Sequence, residues 1–499
     1  MAEAKNIRWM FKGTIVSARP DRSLSILEAS LLVVDKDGFI AHLEAASSPA
    51  SRAALEMVER GEVPKECFVE LGRNGWLLPG FVDTHSESLE PSAISKARRL
   101  FTSDLFSSPV HAPQYVNAGT ALDKPLMEWL EHYTFRAEAR IDQDPQGFGK
   151  KVYEKLVQRL LENGTTAASV FGTISVEANL VLASCFLRAG LRGQIGKVAM
   201  DQHSIPSYLE TTSSSLADTR VFVSSMRSLV ADLPTRLQLV EPVVTPRFVP
   251  TCSIELLKGL AEIAQSENLR LQSHMCESQG MVDVCKEMLG GRSDVELLNE
   301  LGLLHSKSLM AHCTHSGLPD LALLAQTGTS IAHCPLANVY FSAERQLPLR
   351  EAWTAGVKVG LGSDISGGYR VGLDENMRWA VGISRLREGA RQAAGKEQPA
   401  AMSQESLSIS WKESLYLATL GGAQALGLDV ERRVGTLEVG ASFDAQWIQV
   451  GGPRSRVDWF DLEGEKEVTV EDKLEKWWCN GAETDRRAVW VQGRRVYEQ

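Results

Sequence analysis

The sequence predicts an α/β protein: a (β/α)8 TIM-like barrel with a small β-sandwich domain formed from both chain ends. Three observations carry this expectation. Eight short apolar runs alternate with longer segments of helical period. Most of those runs end in a side chain able to bind a metal or a ligand. Both chain ends alternate in the manner of strands in one sheet.

At the N-terminal end, residues 13–17 and 29–34 alternate as strands of a small β unit, assigned to a domain part spanning residues 1–76. The barrel is expected over residues 77–428. Its strands are expected at 80–85, 165–170, 196–201, 240–245, 269–274, 308–312, 330–333 and 357–364. Residues 443–448 and 488–492 return to the first idiom and complete the sandwich from residues 429–499. The stretch 389–405, rich in Ala, Gln and Gly, is expected to be an exposed loop.

Composition bounds the function. A chain of 499 residues with 43% hydrophobic residues buries a large core easily. A net charge of −10 argues against nucleic acid or an anionic membrane as the main partner. No run approaches the roughly 20 apolar residues of a membrane span, and the first residues do not resemble a signal peptide. The eight cysteines include no Cys-x-x-Cys pair, which predicts reduced thiols in a cytosolic protein.

The ends of the expected strands carry the chemistry. His85, His274, His312, His333 and Asp364 close five of them, and Arg247 follows a sixth. In such barrels the reactive groups sit at the C-terminal strand ends. A hydrolytic zinc site needs neutral imidazoles, a carboxylate and one position for water. His274, His312 and Asp364 meet that description. A single histidine is ordinarily a hydrogen-bonded core residue, but several at strand ends of one barrel point to a metal. Glu277, three residues beyond His274, stands where a proton shuttle is needed. The plainer reading is a solvated glutamate in a first helical turn; its place beside His274 favours the shuttle.

With these residues in place, the chain resembles the amidohydrolase superfamily and, within it, the guanine deaminases. The resemblance rests on Pro79-Gly80-Phe81-Val82-Asp83-Thr84-His85, His111-Ala112-Pro113-Gln114-Tyr115, Leu126-Met127-Glu128-Trp129-Leu130 and Thr245-Pro246-Arg247-Phe248. It continues through Gln272-Ser273-His274-Met275-Cys276-Glu277, His333-Cys334-Pro335 and Gly362-Ser363-Asp364. It implies one zinc ion per subunit held by His85, His111, His274 and Asp364, with His312 close to the metal and its water. It also implies guanine bound among His111, Gln114, Arg247, Phe248, His274, Glu277 and Asp364, with Gln114 and Arg247 on the purine edge and Phe248 beside the ring. The catalytic groups would be Glu277, Asp364 and His312. The implied reaction is hydrolysis of guanine to xanthine and ammonia, in purine catabolism. A homodimer is implied in the same way. Leu336-Ala337 departs from the residues usual in the loop before Asn338.

One feature breaks the pattern. The first ligand pair is normally His-x-His, in which strand alternation points both imidazoles to one side. Here residues 86–110 separate His85 from His111, with seven serines and the basic run Lys96-Ala97-Arg98-Arg99. A short amphipathic helix over 94–106 is compatible with the pattern. The segment also reads as a retained intron: Ser86-Glu87-Ser88 can hide a splice donor and Pro109-Val110 an acceptor, and splicing them restores His-Ile-His in frame. The insertion is expected to weaken zinc binding and lower activity in a folded barrel. Glu87 has the spacing to replace the second histidine, but that register leaves Gln114 displaced. Two other readings stay open: an amidohydrolase acting on a different purine or azine, and a catalytically inactive binding protein. Replacing residues 86–110 by one isoleucine should raise both zinc content and guanine turnover. Equal zinc content and turnover in the two chains would show the insertion to be harmless.

Overall fold

A computed structural model of the chain describes residues 4–85, 112–120, 122, 133–397, 405–460 and 468–499. The expected helix at 94–106, the insertion itself and His111 lie outside the described residues. The chain divides into two compact units. One comprises Met1–Val82, Arg159–Ala167 and Ser410–Gln499; the other comprises Asp83–Gln158 and Ala168–Ile409.

The strands in chain order are β1 (Ile7–Ala18), β2 (Leu24–Asp35), β3 (Ile40–Ala45), β4 (Phe68–Glu70), β5 (Gly75–Pro79), β6 (Phe81–Asp83), β7 (Thr165–Phe171) and β8 (Arg192–Ala199). They continue with β9 (Val240–Pro246), β10 (Arg270–Met275), β11 (Ser308–His312), β12 (Ser330–His333), β13 (Val359–Leu361), β14 (Ala445–Gln449), β15 (Arg486–Val491) and β16 (Arg494–Glu498).

Both chain ends build one sheet of order β16-β15-β14-β5-β1-β2-β3, with β4 added beside β1. Its core joins residues from opposite ends of the chain. Phe11 stacks on Phe443 with ring centroids 5.0 Å apart, and Trp490 meets Phe11 edge-on at 5.1 Å. None of the eight cysteines forms a disulfide. Among the described residues no helix is long and apolar enough to cross a membrane.

The second sheet runs in sequence order from β6 to β13, with parallel pairing from β8 through β13. Two backbone bonds close it into a barrel: Thr84 N–H donates to Leu361 O at 2.9 Å, and Asp364 N–H donates to His85 O at 2.8 Å. Buried residues fill whole strands, as in β7 and β8, because one face meets the barrel interior and the other meets helices. Polar groups inside are cross-linked rather than solvated. Ser169 Oγ donates to Gln272 Oε1 at 2.6 Å, while Gln272 Nε2 reaches Val170 O and Thr245 Oγ1, both at 3.1 Å.

All eight expected barrel strands are present, and the shifts have local causes. The third starts four residues early because its polar members are paired: Gln194 Nε2 donates to Glu241 Oε1 at 2.8 Å. The last is short because the chain turns after Leu361, and Asp364 takes a left-handed φ of 49°. One expectation is corrected. Much of 389–405 is not a loop, since the helix Leu373–Glu397 runs through its first half. Ala, Gln, Arg, Glu and Lys are strong helix formers, and they outweigh the glycines there. Residues 398–404 lie outside the described residues.

Gly362 marks the tightest point of closure. A Cβ there would lie 2.6 Å from His85 O and 2.8 Å from Cys334 Sγ. Gly362→Ala should therefore cost about 1–3 kcal/mol through overpacking and disturb His85. Thermal unfolding and metal content measured together would check this; an unchanged melting temperature would count against so tight a closure.

Candidate active site

Three histidines meet above the barrel. His85 follows β6, His274 lies in β10, and His312 ends β11. Their ring centroids are 4.9 Å (His85–His274), 5.3 Å (His85–His312) and 5.6 Å (His274–His312) apart. All three are buried, as is Asp364. Burial holds the His85 pKa well below the usual imidazole value, with His312 nearby lowering it further. Burial also pulls His312 down to about 4, against the opposing effect of the hydrogen bond it donates to Asn338. Neutral imidazoles are the form that binds a metal.

The tautomers follow from the neighbours. His274 Nδ1 lies 2.5 Å from Arg247 O, and His312 Nδ1 lies 2.8 Å from Asn338 Oδ1. Both partners are acceptors, so each neutral ring carries its proton on Nδ1 and its lone pair on Nε2. His312 Nε2 is buried with no hydrogen-bond partner among the described residues, and Glu277 Oε1 lies 3.4 Å away. A lone pair in this position, within a set of imidazoles and a carboxylate, fits a zinc-type ion. Cys334, absent from the expected set, places its sulfur within 4.8 Å of His85 and His312 donor atoms.

The backbone is strained where these groups converge. Cys276, His312, Cys313 and Asp364 all have φ between 49° and 66°. Asp83 braces the closure: its carboxylate accepts from His85 N–H at 3.2 Å, Ser363 N–H at 2.9 Å and Ser363 Oγ at 2.5 Å. Burial pushes its pKa up to about 7, with the Ser363 donors pulling the other way.

Beside the histidines lies a second, polar cluster. Arg247 and Glu138 form a fully buried pair, with Nη1 at 3.0 Å from Oε2 and Nη2 at 3.1 Å from Oε1. Gln114 Nε2 donates to the same Glu138 Oε1. Arg247 also lies over the Phe135 ring, 5.3 Å from its centroid. The resemblance places Arg247 on the purine edge; its guanidinium is engaged here by Glu138. Gln114, expected to be displaced in one register of the insertion, is buried and joined to this pair. Phe248 is buried and bridges to His274, while Phe171 meets both His274 and His85, at 4.6 and 5.1 Å.

The structure brings together His85, His274, His312, Glu277 and Asp364, with Gln114, Arg247 and Phe248 alongside. His111 lies outside the described residues. Sequence reasoning missed Glu138, Phe171, Asp83 and the role of Asn338. Asp83 lies in the segment Pro79–His85 and Asn338 just after Leu336-Ala337, but nothing in the pattern assigns either of them a partner.

The model of the amidohydrolase family matches residues 108–496. The chain belongs to the amidohydrolase family. Among amidohydrolase relatives, it is 33% identical to a guanine deaminase from Dictyostelium discoideum over 99% of this chain and 100% of that one. It is also similar to a guanine deaminase from C. acetobutylicum solved with guanine bound in the active site. The TM-score is 0.78 and the identity 26%, covering 98% of this chain and 100% of the other. An adenosine deaminase from Xanthomonas campestris solved with bound zinc shares the fold, with a TM-score of 0.73 at 19% identity over 98% of this chain and 92% of that one. The family match opens at residue 108, so the strand-one signature ending at His85 precedes it.

Asn338 orients the His312 imidazole. Asn338→Ala should lower guanine turnover by roughly 10–100-fold while bound metal stays near the parent level, read by ammonia release and metal analysis. Unchanged turnover would mean that His312 is held by packing alone.

Proposed function

We propose that this amidohydrolase hydrolyses guanine to xanthine and ammonia at a single zinc ion. The observation that carries the reading is the buried convergence of His85, His274, His312 and Asp364 beside Glu277, with the Gln114–Glu138–Arg247 cluster next to it. The relatives named above support the substrate. His85, His274 and Asp364 would hold the ion together with His111. When bound, zinc supplies the Lewis acidity that makes water a nucleophile near neutral pH.

The side chains do the rest. Asp364 accepts the proton released by water. Glu277 protonates a ring nitrogen, which draws electrons from C2 and favours addition there. It then takes up the proton of the new C2 hydroxyl and passes it to the departing amine, and the proton held by Asp364 restores its acid form, so that one water is consumed and one ammonia leaves. His312, neutral and held by Asn338, faces the reacting oxygen. Gln114 and Arg247 bind the purine edge, with Phe248 against the ring. The protein is further proposed to be a cytosolic homodimer.

Glu277→Gln should lower turnover by about 10²–10⁴-fold while zinc content and melting temperature stay near those of the parent. Ammonia release and metal analysis would check this. Turnover retained in that variant would remove Glu277 from the mechanism. Chelation should abolish xanthine formation and added zinc should restore it; activity that survives complete metal removal would sink the zinc reading.

A further inference from the structure

We propose that Glu138 is a specificity-determining positioning residue: it locks the Gln114 amide and the Arg247 guanidinium into one donor–acceptor order. The proposal rests on the purine-site reading above, and it deepens that reading by naming which purine edge the site accepts.

Glu138 lies in the first turns of the helix Phe135–Gln143 and is fully buried. Both its oxygens are committed. Arg247 takes them as a fork, Gln114 Nε2 donates to Oε1, and the Tyr208 hydroxyl adds a further hydrogen bond. A desolvated pair of this kind is weak grounds for net stability. What it does supply is orientation.

The chemistry of the carboxylate sets that orientation. An ionised carboxylate only accepts hydrogen bonds, whereas a glutamine amide both donates and accepts. Beside Glu138 the Gln114 amide must turn Nε2 inward, so Oε1 becomes the outward acceptor. Thr134 Oγ1 supports the same orientation by donating to Gln114 Oε1 at 3.3 Å. Ser366 Oγ fixes the backbone of the same residue by donating to Gln114 O at 2.7 Å. Arg247, an obligate donor, is held alongside. A donor next to an acceptor complements a carbonyl next to a ring N–H, the lactam edge of a 6-oxopurine. It mismatches a 6-aminopurine, whose amine donates and whose neighbouring ring nitrogen accepts. A buried mismatch of this kind leaves two polar groups unpaired. With the carboxylate removed, the amide can turn over and the discrimination should fall.

The experiment measures binding, so that it does not depend on catalysis. Hypoxanthine carries the lactam edge and adenine the reversed one, and neither has an amine at C2. Their dissociation constants would be measured by calorimetry on the zinc-loaded full chain and on E138Q, with zinc content and melting temperature recorded for both. The parent should favour hypoxanthine by at least about tenfold, and E138Q should bring the two affinities within a few-fold of each other. Should E138Q fail to fold, Gln114→Leu removes the amide being locked and should collapse the same ratio. A parent without preference overturns the proposal, as does a ratio unchanged in a folded E138Q or Gln114→Leu protein. Guanine turnover, assayed separately, tests the activity. Purine-edge discrimination without ammonia release, both in the parent and in the chain with residues 86–110 replaced by one isoleucine, would overturn the deaminase reading and leave the Glu138 assignment standing.

Discussion

The site depends on the closure of the barrel. Two backbone hydrogen bonds, Thr84 to Leu361 and Asp364 to His85, join the first strand to the last. They place His85 and Asp364, from distant parts of the chain, beside one another. Everything else at the metal position is referred to that seam. Asp83 and Ser363 reinforce it from below, and Gly362 lets the backbones approach. Donor atoms set on strand ends are held more firmly than donors on loops, and ligand geometry rewards that firmness.

Closure brings strain with it. Four non-glycine residues at strand ends adopt left-handed backbone, at about 1–3 kcal/mol each. The strain falls on Cys276, His312, Cys313 and Asp364, all at or beside the proposed catalytic groups Glu277, His312 and Asp364. Compensation comes from the densely packed interior, where Gln272 ties three strands together, and from burial of the imidazoles themselves. That burial also depresses the pKa values of His85 and His312, so the packing that tolerates the strain keeps these two rings neutral.

The barrel was legible because strands buried on both faces leave near-continuous apolar runs, and because His85, His274, His312 and Asp364 stand at the ends of those runs. Glu138 was not legible for a physical reason. It lies between Arg136 and Arg140 on a short helix, a pattern that reads as a solvated charged face. Its partner Arg247 is 109 positions away, and no periodicity links the two. Asn338 was equally hidden, since an asparagine near a turn ordinarily serves its own backbone. The misread stretch at 389–397 shows the converse error. Alanine, glutamine and glycine together suggested a loop, but a long helix already under way absorbs single glycines at about 1 kcal/mol apiece.

The position of Gln114 bears on how the insertion acts. Its side chain is held by Glu138 and Thr134 and its carbonyl by Ser366, all of which lie on the C-terminal side of residues 86–110. These contacts of the proposed purine-edge cluster come from elements that follow the insertion in the chain. His85, on the other side, is placed by β6 and the barrel seam. The insertion thus divides the site at one point, between a fixed His85 and a fixed Gln114, with His111 three residues from the latter. Closing a longer loop between two fixed ends adds only about 0.6 kcal/mol per doubling of its length. The expected cost of the insertion lies instead in the angular order that a two-residue strand spacing would impose on His111. Its effect is therefore expected in metal binding rather than in the proposed recognition of a purine edge.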